Sequence, residues 1–159
     1  MKRFAIAITA CLALAGPTLA DGKIYVLLPD LSSYADKRGE DFLYQIVLAN
    51  VVSSNCADFA VTDEEWSLLT DSADILAHQL GIDTDNYDAL YYKPAFDALD
   101  KPETCAEQGP NVQPVIDELV NQGGSREALP DQEKAYQDYR AMVDAWDAEA
   151  AQPKKSKTK

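Results

Sequence analysis

The chain has 159 residues, 47% of them hydrophobic, and its 27 acidic against 14 basic side chains give a formal net charge of -13. That length is enough for one domain with a core of its own. The acidity sets the chain against nucleic-acid phosphates and anionic membrane surfaces, so neither is expected as a partner.

Residues 1–20 read as a secretory leader: Lys2 and Arg3, an apolar run from Phe4 to Gly16, then a small-residue end with cleavage after Ala20. The run of 13 residues is short of the roughly 20 needed to cross a bilayer, so no transmembrane helix is expected in the mature chain. Ile8-Thr9-Ala10-Cys11 also has the form of a lipoprotein cleavage box, which would leave Cys11 as a lipidated terminus. Loss of Lys2 and Arg3 makes the balance -15, and residues 21–153, with 8 basic and 27 acidic groups, carry -19. Such charge suits solubility outside the cytoplasm or attraction to a cationic partner.

Residues 21–39 form an N-terminal arm: "KIYVLLPDL" could be extended, but Pro29 and the lack of a strand partner argue against a sheet. From Glu40 to Ser54, Phe42, Leu43, Ile46, Val47, Leu48, Val51 and Val52 go almost all round a helix, which places it at the centre. Thr62-Asp63-Glu64-Glu65 is a capping box that opens a second helix, and Gly81 ends it. Trp66, Leu69, Ala73, Leu76 and Leu80 give that helix a face for the central one. A third helical region from Thr84 or Asn86 carries Tyr87, Leu90, Tyr91, Phe96 and Leu99, and Pro94 splits it near Lys93. Pro102 opens a further turn holding Cys105, which Gly109-Pro110 closes. Residues 111–122 form an amphipathic helix closed by Gly123-Gly124, so the helical core spans 40–124. In the C-terminal region 125–152, Pro130 begins a last amphipathic helix with Tyr136, Tyr139, Val143 and Trp146 in one stripe. The basic tail 153–159, "PKKSKTK", is expected to be disordered, with an anionic partner as the alternative. The fold class is therefore all-α, a small orthogonal bundle of five to six helices.

With Cys11 removed, Cys56 and Cys105 remain, and an even pair in an exported chain points to one disulfide. Closing a loop of about 50 residues is worth roughly 4 kcal/mol by chain entropy. Neither a C-x-x-C spacing nor a nearby histidine supports a redox or zinc centre.

His78 is the single histidine, so nucleophilic catalysis of the Ser-His-Asp or Cys-His kind has to use it. It is placed on the water side of its helix, with Asp71 and Asp74 on the same face at the spacing of a weak metal site. A solvated polar face is the reading preferred here, and no metal or cofactor is expected. "GIDTDNYDAL" offers Asp83, Asp85 and Asp88 to calcium, but Asp88 and Pro94 stand where the loop motif needs Gly and Glu. No dinucleotide, phosphate-loop or hydrolase motif occurs. Tyr87, Tyr91, Tyr92 and Phe96 are read as core before ligand platform. Tyr136, Tyr139 and Trp146 are the candidate interaction residues.

Cys56-Ala57-Asp58-Phe59 with Cys105 at 49 positions on, and Leu80-Gly81-Ile82-Asp83 before an acidic turn, resemble two groups of proteins. One is a family of small exported alphaproteobacterial helical proteins with two cysteines and no assigned function. The other is the periplasmic acid-stress chaperones of the HdeA type, although those chains are shorter and end in a basic helix. The second resemblance implies a holdase in which acid protonates the carboxylates, loosens packing and exposes apolar surface. Three expectations follow: an exported, non-enzymatic interaction or structural protein of the periplasm; an acid-activated holdase; or a metal-binding or enzymatic protein using His78. Partner identity and oligomeric state are open.

Overall fold

The computed structural model describes residues 22–151, and the expected leader, Cys11 and the lysine tail lie outside them. The described chain is all-α, with helices α1 (Lys37–Asn55), α2 (Asp63–Gln79), α3 (Thr84–Tyr87), α4 (Lys93–Leu99), α5 (Thr104–Gln108), α6 (Val112–Asn121) and α7 (Gln132–Ala150). Short 3-10 turns at Ser32–Tyr34, Ala57–Phe59 and Gly109–Asn111 link them.

α1 is the central helix. It starts earlier than its apolar run because the Asp36 side chain accepts from the Arg38 backbone N–H and caps the first turn. Leu43, Ile46, Val47, Val51 and Val52 are all buried, against Leu68, Leu69 and Leu76 of α2 and Val112, Ile116 and Leu119 of α6. One polar tie crosses the α1–α2 seam: Asn50 Nδ2 donates to Thr70 Oγ1 at 2.8 Å. The capping box at the head of α2 is fully formed, with the Thr62 hydroxyl accepting from Glu65 N–H and the Glu65 carboxylate accepting from Thr62 N–H, each at 3.2 Å. At its other end Gly81 takes φ +68°, a conformation only glycine adopts without strain.

Pro94 divides the third helical region as its sequence requires, through a widened turn. Asp88–Tyr92 is π-helical, with the Lys93 N–H donating to the Asp88 carbonyl, and α4 begins at Lys93. A widened turn is a known way to relieve the collision that a regular helix brings between a proline ring and the carbonyl four residues before it. The Cys56–Cys105 disulfide, with Cα atoms 5.6 Å apart, ties the end of α1 to α5.

The arm does find a partner. Val26 makes an isolated antiparallel bridge with Ala128, Ser125 N–H donates to the Leu27 carbonyl at 2.9 Å, and Leu129 N–H donates to the Tyr25 carbonyl at 2.8 Å. Gln132 completes the pairing: its Oε1 accepts from Tyr25 N–H and its Nε2 donates to the Tyr25 carbonyl, both at 2.8 Å. The chain thus enters α7 already fastened to its own beginning.

Four expectations are corrected. Trp66 is 40% exposed. It shares its angular position on α2 with the buried Ala73 and Ala77 but lies in the first turn, where cover gives out. Pro130 is not the first residue of α7; Asp131 is its cap, accepting from Lys134 N–H at 3.0 Å. Of the aromatic cluster only Tyr91 is buried, while Tyr92 and Phe96 are 38% and 44% exposed. The face of α2 carrying Asp71, Asp74 and His78 is only partly solvated, because the arm and α7 pack over it and bury Asp71.

Candidate functional site

That covered face holds the densest chemistry of the described residues. Asp71 is 1% exposed, and its Oδ1 accepts from Lys23 Nζ of the arm at 2.5 Å. The Lys23 ammonium lies 4.0 Å from the Tyr139 ring centroid and 5.2 Å from that of Tyr25, so two rings and a carboxylate surround it. The Tyr139 hydroxyl reaches Asp74 Oδ2 at 3.4 Å. Burial raises the pKa of Asp71, against the lowering effect of Lys23. Burial, reinforced by the Asp71 charge, pushes Asp74 up to about 6. Burial and the same two carboxylates raise the Tyr139 phenol. The pair is held within a few ångströms by i, i+3 spacing on one helix, and a single ammonium is shared between them.

One turn further along, His78 stacks on Trp146 of α7, with ring centroids 4.4 Å apart and planes 15° apart. Its Nε2 lies 3.6 Å from Glu149 Oε2. His78 is therefore partly covered by α7, its side chain remaining 36% exposed. Among the described residues no group of three or more His, Cys, Asp or Glu is arranged to hold a metal ion. Asp71, Asp74 and His78 engage Lys23, Tyr139 and Trp146 instead of converging. The candidate interaction residues Tyr136, Tyr139 and Trp146 make internal contacts: Tyr25 packs on Tyr136 and Tyr139 with centroids 6.0 and 5.6 Å apart, and Trp146 covers His78. They dock α7. Cys56 and Cys105 are bonded to each other.

Two further surfaces complete the inventory. An open groove of about 640 Å³ runs between α1 and α6, floored by Phe42 and Val115 and rimmed by Arg38, Asp41 and Glu118. There the Tyr34 hydroxyl donates to Glu118 Oε1 at 2.8 Å, which holds the Glu118 carboxyl below its usual range. On the π-helical turn and α4, Leu90, Tyr92 and Phe96 are 60%, 38% and 44% exposed, and the Tyr92 and Phe96 rings lie 5.3 Å apart. Asp85, Asp88, Asp97 and Asp100 are exposed on the same stretch, with Asp97 ion-paired to Lys93. The sequence marks these aromatics, but the i, i+4 pairing of Tyr92 with Phe96 is equally that of a core stripe. The 38–44% exposure comes from the widened turn and from the absence of a covering element among the described residues.

No helix of the described chain is long and apolar enough to cross a membrane. Comparison with family models, with curated proteins and with solved structures finds no match to this chain.

Proposed function

We propose that this is an exported, non-enzymatic interaction protein that docks a cationic protein partner through the exposed face of Tyr92 and Phe96. The observation that carries the reading is that face: two aromatic side chains, 38% and 44% exposed and 5.3 Å apart, on a stretch that also exposes Asp85, Asp88 and Asp100. Apolar anchors with a charged rim are the anatomy of a protein interface. A second copy is a poor occupant, since a chain of net charge -13 repels itself, whereas a basic surface gains both steering and apolar contact. The leader at 1–20 would deliver the chain to the periplasm, where the Cys56–Cys105 bond forms and persists.

The test is a photo-crosslinking amino acid at position 96 in the native cell envelope, with one at the exposed position 133 of α7 as control. The expected result is one adduct specific to position 96, containing a basic protein. Its affinity for the purified chain should fall steeply between 50 and 200 mM salt, about tenfold or more, and Tyr92→Ser with Phe96→Ser should abolish it. Equal labelling from both positions, or a captured protein insensitive to those substitutions, overturns the proposal. N-terminal sequencing of periplasmic material should begin at Asp21.

An acid-activated holdase is the second reading. The bridge between α1 and α5 supports it, because a crosslink keeps helices together while apolar surface opens. The Asp71–Asp74 pair opposes it, because its raised pKa values favour the folded state in mild acid.

A further inference from the structure

We propose that the arm and α7 form a strap over α2 that closes in mild acid and slackens above neutral pH, with Asp74 as the group that switches it. The strap is lightly anchored. Ala135 is the one buried residue of α7. Beyond its first turn the helix is held by side chains that reach the arm and α2: Tyr136 and Tyr139 on Tyr25, Tyr139 on Asp74, and Trp146 on His78. An open pocket of about 280 Å³ separates the arm from α7 along Leu28, Leu129 and Met142. An element with so few buried apolar contacts opens before the core that α1, α2 and α6 share.

The charges under the strap are unbalanced when both aspartates are ionised. Lys23 Nζ lies 2.5 Å from Asp71 Oδ1 and 4.0 Å from the Tyr139 ring centroid, so its ammonium is committed to Asp71 and serves Asp74 only from further off. Asp74 is faced by Asp71 and His78 on its own helix, Lys23 on the arm, Tyr87 on α3 and Tyr139 on α7. Of the α7 carboxylates nearby, Glu149 lies 3.6 Å from His78 and Asp138 is paired with Lys134. A proton on Asp74 removes its repulsion with Asp71 and gives it a hydrogen to share with the Tyr139 hydroxyl. Under the closed strap, burial and the Asp71 charge push Asp74 up to about 6; uncovered, it returns toward the ordinary 3.8. A carboxyl raised in the closed form favours closure below its ordinary value and loses that contribution as pH rises through about 6. Between pH 5 and pH 7.5 those two values correspond to about a tenfold rise in the opened fraction. The strap does not involve Tyr92 or Phe96, so its failure leaves the docking face as it stands.

The test is amide hydrogen exchange of the mature chain at pH 5 and pH 7.5, corrected for the intrinsic pH dependence of exchange and referenced to α6. Amides of residues 137–150 should open about tenfold more often at pH 7.5 than at pH 5, while α1, α2 and α6 keep their protection. Asp74→Asn, an uncharged side chain of the same shape, should hold α7 at its pH 5 protection at both pH values. A second measurement needs no variant: the Asp74 side-chain carboxyl, followed by NMR in the wild type, should titrate with a midpoint near 6. Exchange in α7 that does not change with pH, a pH response of the same size in Asp74→Asn, or an Asp74 carboxyl that titrates at the ordinary 3.8 overturns the switch.

Discussion

Lys23 and Asp71, 48 residues apart in sequence, meet at 2.5 Å with side chains 16% and 1% exposed. Removing one partner of a buried pair leaves an uncompensated charge, which costs more than the pair itself contributes. Lys23→Met should therefore destabilise the fold by about 3 kcal/mol at pH 7, measured by urea unfolding. Lys23→Met combined with Asp71→Leu should recover most of that loss, because apolar replacement of both partners removes the unpaired charge.

The two aspartates also set a pH dependence of unexpected sign. A carboxyl whose folded pKa is raised binds its proton more tightly in the native state, so it favours folding below the unfolded value and loses that contribution as pH rises through the folded one. For Asp74 the window runs from the ordinary 3.8 to about 6. At 1.36 kcal/mol per unit the stability of the wild type relative to Asp74→Asn should grow by about 2–3 kcal/mol between pH 7 and pH 4. Glu118, whose folded pKa is lowered, acts in the opposite sense, and its contribution is lost only as pH falls below its usual range. Chemical unfolding of both proteins at pH 4, 5, 6 and 7 measures the slope. If acid opened this protein as a holdase, an apolar-surface dye would bind within the same window; no binding is expected above pH 4.

These relationships separate what the sequence reveals from what it conceals. The local signals are legible: Thr62 to Glu65 as a capping box, Gly81 as a stop, Pro94 as a break and Cys56 with Cys105 as a bond all appear in the fold. Each is governed by neighbours in sequence, or by the lack of any other possible partner. The cover of α2 is not legible, since Asp71, Asp74 and His78 make a water-facing stripe until Lys23 and Trp146, 48 and 68 positions away, close on it. The arm–α7 pairing hides for the same reason. It rests on one bridge and on the amide of Gln132, which no periodicity marks.

Gly39 packs where no side chain fits. It is in α1, buried, and a Cβ there would overlap the Tyr34 carbonyl oxygen, a backbone atom that cannot rotate away, with a Leu80 methyl at 3.1 Å behind it. Gly39→Ala would be neutral or stabilising in an exposed helix. Here it should cost about 1–3 kcal/mol through overpacking, seen as a lower midpoint of guanidinium unfolding without a change of slope.

The Cys56–Cys105 bond closes a loop of 49 positions that contains α2, α3 and α4. Replacing both cysteines by alanine should cost about 2–5 kcal/mol, most of it through the larger freedom of the unfolded chain. The comparison is guanidinium unfolding of the double variant against the oxidised parent. Reduced parent protein should match the double variant, which separates the effect of the crosslink from that of the altered side chains.

α7 is held to the body by long side chains rather than by a core of its own, as only Ala135 in it is buried. Trp146 on His78 fastens its distal half, and Tyr136 with Tyr139 on Tyr25 fastens the proximal half. A stacked pair of this kind contributes about 0.5–1.5 kcal/mol beyond its buried area. Trp146→Ala should therefore raise amide exchange in residues 143–150 about tenfold, leaving α1, α2 and α6 protected. Adding Tyr139→Ala should extend the fast exchange through α7, leaving Tyr136 on Tyr25, the Gln132 amide and the backbone bonds around the Val26–Ala128 bridge to hold the arm. Exchange in α7 that stays as slow as in α6 after both substitutions would mean that its attachment lies elsewhere.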